Sequence, residues 1–444
     1  MHAFRLNVCG ALWCGISFLF SASASHGAAG DVLWTNQLDV AGGTDRALAV
    51  ATRGTRVFVA GRVVNGNADA DWLVNAYDAK TGGVLWTNQF DLSGGRDEAF
   101  AVATAGQIVA VAGRVRSATS NDNWLVSAYD VKTGSALWQD QYDQSAGSDR
   151  ANALTFCGKT VIAVGRVTNV AGDFDWFVRA YEAATGTQLW EDQYNAAIGD
   201  DESVAVAGRG SKVFVGGHVT NGAGDQDWLV RGYDVKTGSI LWSNQLDVAA
   251  GDDAASSVAL RGSSVFVAGY GVNGNADEDW KVRAYNAKTG AVLWEDQYDL
   301  ANDDDRAVNV AVRGRTVAVA GSVRNLTGDS DFAVRTYDGA NGSLLWQDRI
   351  NPAGGNDVAL ATTVTGSGVL AVGRVTNSNG DTDWFVQAYA VKSGAVLWSN
   401  QYDQSSGGDE AVAVAASGSR AFVVGDSLKL AGDADWLVRA YSLK

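Results

Sequence analysis

The residues of this chain best suited to chemistry are its aspartates. Asp-x-Asp pairs occur at Asp69/Asp71, Asp173/Asp175, Asp225/Asp227, Asp277/Asp279, Asp329/Asp331, Asp381/Asp383 and Asp433/Asp435. A further aspartate recurs at Asp45, Asp97, Asp149, Asp201, Asp253, Asp305, Asp357 and Asp409. Hard cations prefer several oxygen ligands, so Asp45 and the seven pairs are candidate residues for Ca²⁺ or another cationic ligand. The spacing is not that of an EF-hand loop. An aspartate at a tight turn or strand start also accepts backbone N–H bonds, which explains the repetition without any ligand. Taken alone, the residues leave both readings open.

Other reactive types are scarce. His218 is the one histidine well inside the chain after the leader, at a position its counterparts fill mostly with arginine, which nearly excludes multi-histidine metal sites. The leader is read from an apolar run, Val8 to Phe20, followed by the small residues Ser21 to Ala24. Cleavage is expected after Ala24, or as late as Ala29, and would leave Cys157 as the lone cysteine, with no intramolecular disulfide. The whole chain carries a formal charge of −16, which becomes −17 when Arg5 leaves with the leader. Nucleic acid and anionic membrane surfaces are poor partners for such a protein. No later segment is long and apolar enough to span a bilayer.

The elements that must position the aspartates follow from an internal repeat. Tryptophan recurs every 52 residues at Trp34, Trp86, Trp138, Trp190, Trp242, Trp294, Trp346 and Trp398, and a second column runs Trp72, Trp124, Trp176, Trp228, Trp280, Phe332, Trp384, Trp436. Each unit holds four short β-branched and aromatic segments between Gly, Asn and Asp clusters, which reads as a four-stranded antiparallel meander with strands A to D. Eight such units predict an all-β, eight-bladed propeller over residues 31–444. The chain opens on a D-type segment, Asp31 to Gln37, and closes on a C-type segment, Asp435 to Tyr441, so the N-terminal strand should complete the last blade. Meander topology places the D-to-A and B-to-C loops on one face, which should be strongly acidic. Cys157 aligns with Arg53 and is expected at an A-to-B turn, on the surface.

The segment Ala76-Tyr77-Asp78-Ala79-Lys80-Thr81-Gly82-Gly83-Val84-Leu85-Trp86 resembles the tryptophan-docking motif of pyrroloquinoline-quinone-type propellers. Related copies recur through the chain, which also resembles bacterial secreted β-propeller repeat proteins. The motif needs Gly82 in the left-handed region, Asp78 and Thr81 bonding the turn, and Trp86 wedged against the next blade. The resemblance implies quinoprotein dehydrogenases, with a quinone and calcium over the channel, or eight-bladed envelope assembly scaffolds. The vicinal cysteines and inserted loops common in the dehydrogenases, and the lipid-anchored cysteine usual in the scaffolds, have no counterpart here. Eight near-equivalent units also disfavour a single convergent active site. The expectation is a soluble, monomeric, non-catalytic binding or scaffolding platform, periplasmic or extracellular, with a protein, cationic or glycan partner and without the quinone. A quinone-dependent oxidoreductase and a calcium- or glycan-binding module are the alternatives. The sixth unit is the least regular, with Ser322, Phe332, Arg349 and Asn351-Pro352, through relaxed packing or as an asymmetric partner site.

Overall fold

Alternating apolar residues too short for helices give thirty-two propeller strands and one extra. The computed structural model describes residues 28–118, 121–145, 147–429 and 432–444, together with the backbone of 17–22. In the first blade strand A is Arg46–Arg53, B is Arg56–Val64, C is Ala70–Asp78 and D is Val84–Phe90, hydrogen-bonded in that order and antiparallel throughout. The next six blades repeat this order. In the eighth, Val32–Asp39 pairs with Ala434–Ser442, which lies beside Arg420–Leu428 and Asp409–Ser417. The ring is thus closed by the N-terminal strand. Ser17–Ala22 pairs outside Val32–Asp39 as a fifth strand; cleavage after Ala24 falls outside the described residues.

Burial grades outward from the axis. A strands line the inside of the ring and touch the A strands of neighbouring blades, B and C strands are almost wholly buried, and D strands alternate at the rim. The core therefore lies between blades. Trp86 donates its indole N–H to the carbonyl of Val131 in the next blade, 3.1 Å away, and Trp34, Trp138, Trp190, Trp242, Trp294 and Trp346 do the same one blade on. Gly82 sits at φ +74°, and Asp78 accepts the N–H groups of Lys80 and Thr81 and the Thr81 hydroxyl. A buried indole of this size contributes about 4–6 kcal/mol as an upper bound.

The second tryptophan column is buried more deeply, and it depends on a glycine in the following blade. A Cβ on Gly113 would lie 2.8 Å from the Trp72 ring and 1.9 Å from the Glu98 carbonyl oxygen, so ring and sheet backbone meet only because no side chain is there. Trp124, Trp176, Trp384 and Trp436 also donate to the hydroxyl of a buried tyrosine in the next blade. Those tyrosines belong to a polar layer: Arg179 pairs with Asp140 and Glu191, stacks on Tyr142 at 3.9 Å, and Tyr181 donates to the same Asp140.

Cys157 departs from expectation. It ends strand A of the third blade but is only 4% exposed, because its thiol fills the space opposite Gly208 of the next blade. Burial pushes the thiol up to about 11.

Deleting Asp31 to Gln37 removes Trp34 and leaves the C strand Ala434–Ser442 as an open edge. The truncated protein should melt well below the full chain or self-associate through that edge, seen by calorimetry and light scattering. Unchanged melting and mass would contradict the clasp.

Candidate functional site

The A and C strands both start on one face, and the backbone confirms that their loops meet there. Asp45 N–H donates to the Ala434 carbonyl of the preceding blade, and the equivalent bond joins Asp97 to Ala70. The Asp45 column nevertheless does not crowd the surface. Asp45 is wholly buried, and its two oxygens accept the N–H groups of Val40 and Val64, each at 2.6 Å, tying the D-to-A loop to the end of strand B. Asp97, Asp149, Asp201, Asp253, Asp305 and Asp409 hold the same pair of donors. Burial outweighs these bonds and raises Asp45 and Asp305 to about 7 and the other members to about 6.

The second aspartate of each pair is also engaged. Asp71 accepts the side-chain amides of Asn65 and Gln89, and Asp175, Asp227, Asp279 and Asp383 repeat this arrangement. Asp331 accepts Asn325, Asn351 and Arg349, while Asp435 receives Gln37 and Lys429. The first aspartate varies more. Asp173, Asp225 and Asp329 accept a backbone N–H from Gly199, Gly251 and Gly355, whereas both oxygens of Asp277 and Asp381 lack a donor.

The structure adds a third carboxylate, from the end of strand D. Asp69 and Asp71 meet Asp91, Asp277 and Asp279 meet Asp299, and Asp433 and Asp435 meet Asp39, each group offering oxygens within 4.8 Å of one another. The Asp39, Asp91 and Asp299 column recurs with the repeat period, so it was visible; its approach to the pair depends on blade curvature.

Nearer the axis the same face carries an ion-paired belt. Just after the buried aspartate the sequence reads Arg46, Glu98, Arg150, Glu202 around half of the ring, and these side chains pair across blades. Glu98, 4% exposed, is held by Arg62, Arg96 and Arg114 at 2.6–3.0 Å. Burial raises the Glu202 carboxyl, but Arg150 and Arg166 outweigh it and hold it below the usual range. Arg46 bonds Asp426 across the closing seam at 3.3 Å, and burial still pushes Asp426 up to about 6. His218 stands opposite Glu202 in the position of Arg62 and Arg166, and its burial lowers its pKa.

The irregular sixth blade remains packed. Phe332 is fully buried edge-on to Phe385, with ring centroids 5.5 Å apart, and Arg349 pairs with Asp331 at 3.2 Å. A cavity of about 220 Å³ beside Arg335, Asp348 and Arg349, and one of about 320 Å³ beside Leu326 and Arg349, lie at the lower end of the range of about 300–1,000 Å³ usual for ligand pockets or below it.

With this geometry in view, the family model described as outer membrane protein assembly factor BamB matches residues 21–173 and 175–416. The chain belongs to this BamB-like family of propellers. Among solved structures, BamB from Moraxella catarrhalis aligns at TM-score 0.56 and 12% identity, covering 96% of this chain and all of that one. A quinohemoprotein alcohol dehydrogenase from Comamonas testosteroni aligns at TM-score 0.58 and 13% identity, covering 93% and 76%. A europium-containing methanol dehydrogenase aligns at TM-score 0.58 and 11% identity, covering 93% of each chain. At these identities the likeness concerns the fold. Among curated proteins none matches the sequence. No helix among the described residues is long and apolar enough to cross a membrane.

The dehydrogenase members of this fold raise the question of a quinone over the channel. In this BamB-like chain the groups that would meet an acidic planar cofactor at the mouth are already spent on one another: Arg62 and Arg114 on Glu98, Arg150 and Arg166 on Glu202. The described cysteine lies at the far end of strand A from that mouth. The residues present do not fit the group.

Two outcomes follow. Glu98→Ala strands Arg62 beside a buried gap, while Arg114 keeps Asp122 and Arg96 turns to solvent, and should cost about 3–5 kcal/mol in urea unfolding, whereas a surface truncation costs within about 0.5 kcal/mol. The Asp45 column binds protons more tightly folded than unfolded, so its stabilisation grows as pH falls from about 7 towards 4 and is lost as pH rises through its folded pKa values. Turn aspartates held low, such as Asp130 and Asp234, lose their stabilisation in more acidic solution. Melting temperature at constant ionic strength should therefore rise from pH 7.5 to 5.5 and fall again below about pH 4.

Proposed function

We propose that this chain is an exported, non-catalytic scaffold that binds a protein through its loop face. The observation that carries this reading is a set of nearly bare aliphatic side chains on that face: Val170 and Leu326 in B-to-C loops and Ile198 in a D-to-A loop, 93–98% exposed. At the equivalent positions the first blade has Gly66 and the strand preceding it leads into Gly42, and the fourth blade has Gly222. Val170 and Ile198 lie in loops that border the third blade and Leu326 three blades on, so a partner that covers the face would bury all three, with carboxylates between them. Two further points support the reading. The ion-paired belt satisfies itself rather than aiming unlike groups at one reacting atom, and the matching family model is described as an assembly factor.

The test pairs a binding assay with an activity assay. The mature protein should retain specific envelope proteins from its host, and the triple change Val170→Asp, Ile198→Asp, Leu326→Asp should release them without lowering the melting temperature. Added pyrroloquinoline quinone with Ca²⁺ should give no alcohol-dependent dye reduction. Saturable turnover would overturn the non-catalytic reading, and retention unaffected by the triple change would overturn the proposed face.

A further inference from the structure

Of the three carboxylate groups found on the loop face among the described residues, the one in the fifth blade has a feature that a turn-making role does not explain. Asp277 is 8% exposed, yet neither of its carboxylate oxygens has a hydrogen-bond partner, and an oxygen of this group lies within 4.8 Å of oxygens from Asp279 and Asp299. A buried carboxylate without donors is unfavourable. The cost is avoidable elsewhere in this protein. In the third, fourth and sixth blades the equivalent aspartate accepts a glycine N–H from the D-to-A loop, but in the fifth blade that loop position is Asp303, whose side chain bonds the next residue instead. Asp279 is held only by the neutral amides of Asn273 and Gln297. No guanidinium or ammonium pairs with Asp277, Asp279 or Asp299 among the described residues.

The eighth blade shows what such a group accepts. There Asn273 is replaced by Lys429, whose ammonium lies 2.5 Å from Asp39 and 2.8 Å from Asp435, within the equivalent triad of Asp39, Asp433 and Asp435. One copy of the triad thus carries its own cation, built into the chain. We infer that the Asp277–Asp279–Asp299 triad, and its counterpart Asp69–Asp71–Asp91, are binding sites for a divalent cation of the calcium class. Calcium–oxygen distances of about 2.3–2.6 Å put ligand oxygens up to about 5 Å apart, which the 4.8 Å limit satisfies, and water completes the shell of six to eight oxygens. The two sites share one loop, Val-Asn-Gly-Asn-Ala-Asp-x-Asp-Trp at 64–72 and 272–280, with Ala68 and Ala276 both in the left-handed region. Asp69, like Asp277, has an oxygen without a donor.

Isothermal titration of the chelator-treated mature protein with CaCl₂, against NaCl at matched ionic strength, tests this directly. Two ions per chain are expected, with dissociation constants between about 10⁻⁶ and 10⁻³ M. Asp277→Asn, which installs the residue the second blade already has at Asn121, should leave one. Lys429→Asn should free the eighth-blade triad and raise the count to three. Heat no greater than the salt control, or an unchanged count in Asp277→Asn, overturns the sites; an unchanged count in Lys429→Asn overturns the equivalence from which they are argued. The wild-type titration decides the matter on its own if either variant fails to fold.

Discussion

The indole of Trp72 occupies the space that a side chain on Gly113 would need, and Trp436 on Gly61, Trp176 on Gly217 and Trp228 on Gly269 repeat the exchange around the ring. Everything else in the propeller depends on this close approach. It sets the spacing between blades, brings the docking tryptophans within reach of the next blade's carbonyls, and lets a tyrosine hydroxyl meet both an indole N–H and an aspartate of the neighbouring sheet. Because the ring carries cohesion in the gaps between sheets rather than within them, no blade is an independent folding unit.

That spacing also determines which polar groups survive burial. The Arg179–Asp140–Tyr181 layer and the Glu98 cluster both bridge two blades, so each is complete only when the ring is assembled. Within one blade Glu98 would keep Arg114 and Arg179 would keep Glu191, but Arg62 and Asp140 would lose their ion-pair partners. The acidic loop face is likewise two populations rather than one. Its inner aspartates hold backbone and belong to the fold, and its outer triads bring three carboxylates together, one of them around Lys429.

The fold was legible because the 52-residue period is unbroken: Trp34 through Trp398 mark the D strands, and the surplus Asp31 to Gln37 segment announces the closure. The candidate site was legible only in part. Asp45 and Asp277 look alike as acidic residues at loop ends, but the first finds its donors five residues back and 19 residues on, and the second finds none. Such a difference lies in loop geometry rather than in residue type. The alternation of Arg46, Glu98, Arg150 and Glu202 was readable as a pattern, yet its meaning needed the register between blades. Cys157 was misplaced for the same reason, since the gap it fills is opened by a glycine 51 positions away in another blade.

The clasp has a mechanical consequence. Gly30 donates to the Ser442 carbonyl and Ser442 donates to that of Asp31, so the two ends of the ring leave from almost the same point. A pull applied between those ends would load the ladder of Val32–Asp39 against Ala434–Ser442 before any other sheet. The other seven blades would bear no tension until that ladder parted, and once it parted they could peel away in sequence. The seam that completes the ring is therefore also its mechanical fuse.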